Sequence, residues 1–154
     1  MTLRVRPATL MDLGEYARLG EQFIAASPLG QEAGSNIEDT VRFLITALDN
    51  PNIGMWLAER DGRVIGICSA MAYPLYFRPD YTIVQELWWW LTPEARGSGA
   101  GQMMFKEIER WAKEKNASAL TMIALDDERV EKVSKFYRRA GFRPMERLFF
   151  KELH

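Results

Sequence analysis

The sequence predicts an α/β fold in which a mixed central sheet carries helices on both faces. Three observations predict it. Helical and extended patterns alternate along the chain, several extended runs are apolar almost throughout, and a glycine-rich stretch links one of those runs to an amphipathic helix. At 154 residues the chain suits a single domain, 1–154, with one good core. Its 47% hydrophobic and 27% charged residues are ordinary for a soluble globular protein. Twenty Lys plus Arg oppose 21 Asp plus Glu, so no overall field draws the chain to nucleic acid or to an anionic membrane.

The elements follow in order. Leu3 to Thr9 opens as a short alternating strand, and Leu13, Tyr16, Ala17, Gly20, Phe23 and Ile24 then share one helical face. The stretch from Ser27 to Asn36 is rich in loop formers and ends that helix. Ser35 stands at capping-box spacing from Glu38 and starts a second helix, whose stripe is Ile37, Val41, Leu44 and Leu48. Extended runs come next at Ile53 to Glu59, Arg63 to Tyr73 and Tyr81 to Leu91, with Asp61-Gly62 as the hairpin turn between the first two. A helix over Gly99 to Ala117 turns Met104, Phe105, Ile108, Trp111 and Ala112 inward. Ala119 to Leu125 reads as a short apolar strand, Asp127 to Phe142 as a helix and Arg147 to Leu153 as a final strand.

Residue types exclude several chemistries. Cys68 is the single cysteine and lies in an apolar run, so it reads as a small core residue and neither a disulfide nor a thiolate metal site is expected. The single histidine is His154, the last residue, which leaves no Ser-His-Asp or Cys-His device. No metal is expected, because no His/Cys/carboxylate cluster has ligand spacing. The N-terminus lacks a signal-like apolar core and no run reaches the length of a membrane span, so the cytoplasm is the default location.

Positive chemistry centres on Arg96-Gly97-Ser98-Gly99-Ala100-Gly101, between an apolar strand and an amphipathic helix. A helix start leaves backbone N–H groups without partners, and small residues let an anion approach them. The stretch therefore reads as a pyrophosphate cradle, against the plainer reading of a strand-to-helix turn. Its G-x-G-x-G spacing departs from the dinucleotide G-x-G-x-x-G fingerprint, and no Walker-type loop is present.

Arg96-x-x-Gly99-x-Gly101 resembles the Q/R-x-x-G-x-G/A acyl-CoA signature of the GCN5-related N-acetyltransferases, the GNAT superfamily, and Lys135-Phe-Tyr-Arg-Arg-Ala-Gly-Phe142 resembles that family's L-Y-x-x-x-G-F ending. The resemblance implies a GNAT acyltransferase fold with acetyl-CoA as acyl donor. By match, the main chain of Trp89, Trp90 and Leu91 would pair with the pantetheine arm. Arg96 begins the signature, and the main chain of Gly97, Ser98, Gly99, Ala100, Gly101 and Gln102 would hold the pyrophosphate. An amide near Leu91 would polarise the thioester carbonyl. Tyr137 falls where the family's general acid lies, although Val130, Val133, Tyr137 and Ala140 also form an apolar stripe. Glu86, inside an apolar strand where burial raises a carboxyl pKa, is the candidate base; a solvent-facing or arginine-paired carboxylate is the other reading. Asp126 and Asp127 read as a helix cap before substrate anchors.

Two positions depart from the family pattern: Val130 stands where an asparagine is frequent, and Leu125 where some peptide-modifying members place a glutamate. The expected activity is direct transfer of an acetyl group to a primary amine of a small molecule or peptide. Ser27 to Asn36, with Tyr73, Tyr76 and Phe77, would shape the acceptor pocket. A homodimer is among the assemblies common in such folds. The competing expectation is a CoA-binding or protein-interaction module without turnover. Alternation puts Trp88 and Trp90 on one face of their strand and Trp89 on the other, unless a bulge changes the parity.

Overall fold

The structure, a computed structural model, describes residues 2–154. It forms two compact units, one ending at Ile123 and one running from Ala124 to His154. The first holds a five-stranded sheet in sequential order: β1 (Leu3–Pro7), β2 (Ile53–Arg60), β3 (Arg63–Leu75), β4 (Arg78–Leu91) and β5 (Ala119–Thr121). Neighbours are antiparallel except β4 and β5, which are parallel, so the sheet is mixed. Asp61 and Gly62 both take positive φ, 52° and 79°, the geometry of a tight two-residue hairpin whose twist matches its strands.

Helices cover both faces of this sheet. On one side α1 (Leu13–Ala26) and α3 (Ile37–Leu48) bury Tyr16, Leu19 and Leu44 against Leu57, Ile67 and Trp90. On the other, α4 (Ala100–Glu114) buries Met104, Ile108 and Ala112 against Trp56, Cys68, Ala70 and Val84. The apolar stripe spaced at three and four residues on each helix is what each delivers to the sheet. Cys68 is fully buried, as a core residue. Gly20 is where α1 comes closest to β4: a Cβ there would stand 2.7 Å from the Trp88 ring, so only glycine lets the helix lie this near.

Several expectations change in detail. The stretch between the first two helical patterns contains a further helix, α2 (Pro28–Ala33), because Ser27 accepts the N–H of Gly30 and Pro28 occupies the first turn, where its missing N–H costs nothing. The cap of α3 is Asn36, whose side chain accepts from the N–H of Glu38 and of Asp39, while Ser35 donates to Glu21 instead. Ile37 ends up about half exposed. The strand expected over Ala119 to Leu125 shortens to Ala119–Thr121.

In the second unit, α5 (Val130–Arg139) forms with Arg129 as its N-cap and without a side-chain cap bond, so Asp126 and Asp127 do not cap it; Asp127 accepts the N–H of Arg129 just ahead of the helix. The final strand expected at Arg147 to Leu153 is absent, and Leu148, Phe149 and Phe150 are exposed. An apolar segment becomes a strand only beside another strand, and residues 124–154 contain none. Among the described residues no helix is long and apolar enough to cross a membrane.

Candidate active site

The site is built where β4 leaves its neighbour. On one edge β4 pairs with β3 along nearly its whole length, but on the other it pairs with β5 only over Ile83, Val84 and Gln85. From Glu86 to Leu91 that second edge has no strand beside it among the described residues. A sheet edge with no strand paired to it is a place for an extended ligand to add itself as a strand.

Glu86 is the first residue past the last pair. Its carboxylate accepts the N–H of Ile123 at 3.1 Å, just beyond the end of β5, and only 5% of the residue is exposed. Burial pushes its pKa up to about 7; the Ile123 hydrogen bond, which favours the charged form, pulls it part of the way back. No ion pair involves it among the described residues, so the arginine-paired reading is set aside. A carboxyl of this pKa holds both protonation states near neutrality, as a proton acceptor needs.

One residue the sequence could not signal is Leu87. Ser69 faces Trp88 and Ala70 faces Glu86, so Leu87 stands unmatched in a β-bulge. Cross-strand partners share a face, and Ala70 and Cys68 lie in the α4-side core, which puts Glu86 on the face of Trp89. Without the bulge, Glu86 would sit with Trp88 and Trp90 on the opposite face. Trp88 and Trp90 do pack into the α1 and α3 side, and Trp89 into the α4 side.

The glycine stretch follows. Gly97 and Gly99 take φ of 82° and 91°, and a Cβ at either would meet nothing within 4 Å. The turn is therefore left-handed at both positions and open above them. Gly99 is the N-cap of α4, and among the described residues the N–H groups of Gly97, Gly99, Gly101 and Gln102 donate to no protein acceptor. The Ser98 hydroxyl accepts from the Ala100 N–H at 3.4 Å. Four open donors at the positive end of a 15-residue helix form an anion cradle. The Trp89 indole donates to the Gly101 carbonyl at 3.0 Å, fastening β4 to the first turn of α4. The Arg96 guanidinium lies over the Trp90 ring, 4.8 Å from its centroid. Trp89, Arg96 and the glycines are thus brought together around one strand-to-helix corner.

Tyr137 belongs to the second unit. There its ring packs between Phe136 and Phe142, with centroids 6.1 and 5.6 Å away, and its carbonyl accepts the Phe142 N–H at 2.9 Å. Cys68 is no nucleophile: burial, with the Glu86 charge added, pushes its thiol well above the usual range. Tyr73 donates its phenol to Gln85 at 3.0 Å, while Tyr76 and Phe77 stand exposed at the β3–β4 turn.

The fold recurs among known proteins. The model of the Acetyltransferase (GNAT) family matches residues 21–142. Among solved structures, the chain is similar to AAC(6')-Iy in complex with the bisubstrate analogue CoA-S-monomethyl-acetylneamine, with TM-score 0.80, 16% identity, and 100% and 99% of the two chains covered. It is similar to the aminoglycoside antibiotic 6'-N-acetyltransferase AAC(6')-Ih from Acinetobacter baumannii, with TM-score 0.77, 15% identity and 99% of each chain covered. A predicted acetyltransferase with acetyl-CoA from Clostridium acetobutylicum gives TM-score 0.76 at 16% identity, covering 98% and 96%. At such identities these likenesses show the shared fold. No curated protein sequence matches the chain.

Proposed function

The chain belongs to the GNAT acetyltransferase family, and on that premise we propose that it is an N-acetyltransferase, moving an acetyl group from acetyl-CoA to a primary amine by direct attack. The observation that carries the reading is the opening of β4 from β5 at Gln85, with the buried Glu86 at its apex and the open glycine cradle beyond its far end.

These residues fit a CoA. By match to the family signature, the main chain of Trp89 to Leu91, where no strand pairs with that edge of β4, would bind the pantetheine amides, and the open N–H groups of Gly97, Gly99, Gly101 and Gln102 would bind the pyrophosphate. A Cβ at Gly97 or Gly99 would project into space that the protein leaves empty. When bound, acetyl-CoA supplies the electrophilic thioester carbonyl. Glu86 takes the proton that the amine must lose, and its burial keeps bulk water from that carboxylate. The bulge at Leu87 turns a backbone amide out of the ladder closer to Glu86 than Leu91 lies, and we assign the polarising N–H to this bulge. From its place in the stretch that resembles the family's L-Y-x-x-x-G-F ending, and from that match alone, Tyr137 is assigned the proton donor to the departing thiolate. A small-molecule amine is the favoured acceptor class, supported by the aminoglycoside acetyltransferases among the structural neighbours.

Thermal unfolding with CoA, acetyl-CoA or NAD tests the reading. A ligand at about 100 times its Kd adds about 2.7 kcal/mol, a midpoint rise on the order of 5–10 °C here. Both CoA species should give it and NAD should not; no shift with either CoA species sinks the proposal. CoA binding without acetyl transfer to any amine in a broad panel would favour the module without turnover.

Tyr137→Phe keeps the ring against Phe136 and Phe142 and removes only the hydroxyl. Steady-state kinetics should show kcat lowered about 10- to 100-fold with KM for acetyl-CoA little changed. An unchanged kcat would make Tyr137 a packing residue.

A further inference from the structure

We propose that the first unit contains a second ligand site, apart from the glycine cradle, for a small molecule that joins an oxyanion to an apolar or aromatic body. The site is a cavity of about 660 Å³ between α1, the β2–β3 hairpin and the turn that follows β4. That volume suits a small organic ligand.

Its charge is the first argument. Arg18, Arg60 and Arg63 line the cavity, against Glu94 as the acidic residue of the lining. Arg18 already has a counter-ion, Glu15 at 2.9 Å. Arg60 and Arg63 have none within ion-pair distance among the described residues, because Glu59 is held by Arg6 and Asp61 accepts the Thr2 N–H. These two arginines also face each other directly across the hairpin. Like charges placed opposite one another oppose strand pairing. An anion between them converts that repulsion into two charge-assisted contacts, and guanidinium geometry favours carboxylate or phosphate.

The second argument is the wall beside the arginines. The apolar part of the site comes from Val64, Ile65 and the Trp90 ring, whose indole N–H is fixed by donating to Gln22 at 3.1 Å. Oxyanion recognition therefore sits beside an apolar wall, which defines the ligand class.

The test is a ¹H–¹⁵N spectrum of the full chain titrated with phenyl phosphate, following the Trp90 indole signal, which Trp90→Phe identifies. A saturable shift is expected at millimolar or lower concentration, weaker binding with inorganic phosphate, and no saturable shift with the neutral benzyl alcohol. Arg60→Gln/Arg63→Gln should weaken phenyl phosphate binding at least about tenfold while the rest of the spectrum stays native. Saturating CoA should leave the affinity unchanged. No saturable shift in the unaltered protein, or equal affinity in the double variant, overturns the proposal. So does displacement by CoA, which would make the cavity part of the acetyl-donor site. The CoA result in thermal unfolding is read separately, so the two proposals fail independently.

Discussion

Glu86→Gln should give a protein that is more stable and nearly inactive. With the proton acceptor gone, kcat/KM for the amine is expected to fall by about 10²–10⁴-fold. The rise of rate with pH, centred near the carboxyl's pKa of about 7, should disappear with it. Stability moves the opposite way for a reason of sign. The folded carboxyl titrates at about 7 and the unfolded one near 4.5. Below the lower value both states are protonated, and the group contributes its full share to stability. Between the two, the unfolded chain releases a proton that the folded chain must keep, so that share is lost as pH rises through about 7. A gap of this size corresponds to about 3 kcal/mol. Glutamine cannot ionise and can still accept the Ile123 N–H. The variant's advantage over the unaltered protein should therefore be small near pH 4.5 and grow by about 3 kcal/mol by about pH 8, as read from urea unfolding at several pH values. A variant with unchanged kcat/KM would remove Glu86 from the mechanism. A stability difference independent of pH would show that the carboxyl is not titrating as a buried group.

Gly99→Ala is expected to abolish useful CoA binding with a modest loss of stability. At φ of 91° a side chain is strained even though the added Cβ touches nothing, so unfolding should cost about 1–2 kcal/mol less than in the unaltered protein. Gly34, with φ of 71° and ψ of −178°, lies in a region still less open to a side chain, and a Cβ there also meets nothing. Gly34→Ala is therefore the control: destabilisation at least as large, no loss of CoA affinity. At Gly99 the methyl group projects above the open N–H groups of the cradle, and calorimetry should show CoA affinity reduced at least about tenfold, beyond anything seen at Gly34. Equal CoA affinity in the two variants would reduce the glycine stretch to a turn.

How much of this was legible depends on how local the cause was. The period of three and four residues in Tyr16, Ala17, Gly20 and in Met104, Ile108, Ala112 reports a face that must be buried, and these helices form as their spacing predicts. Asp61-Gly62 and Gly97-x-Gly99 state their backbone conformation in their residue types, because positive φ is open to few others. Asn36 displaced Ser35 as the cap of α3 because Ser35 found a stronger, distant partner in Glu21. The Arg147 to Leu153 strand failed for the same kind of reason: a short apolar run proposes a strand, and only a neighbour makes one.

By itself the sequence determined the element types, the mixed α/β class and the acyl-CoA signature, since each is written in short-range periodicity or in residues with restricted backbone freedom. It also marked Glu86 as a carboxyl in an apolar run. Tertiary structure alone decided where that carboxyl sits. β5 stops pairing at Thr121 opposite Gln85, the bulge at Leu87 puts Glu86 on the Trp89 face, and Ile123 arrives to hold the carboxylate. The pairing of Arg60 with Arg63 beside a cavity that Trp90 also lines is likewise visible only once the hairpin and the end of β4 meet. Strand register and ligand cavities arise from residues far apart in the chain, and no local pattern encodes where those residues come together.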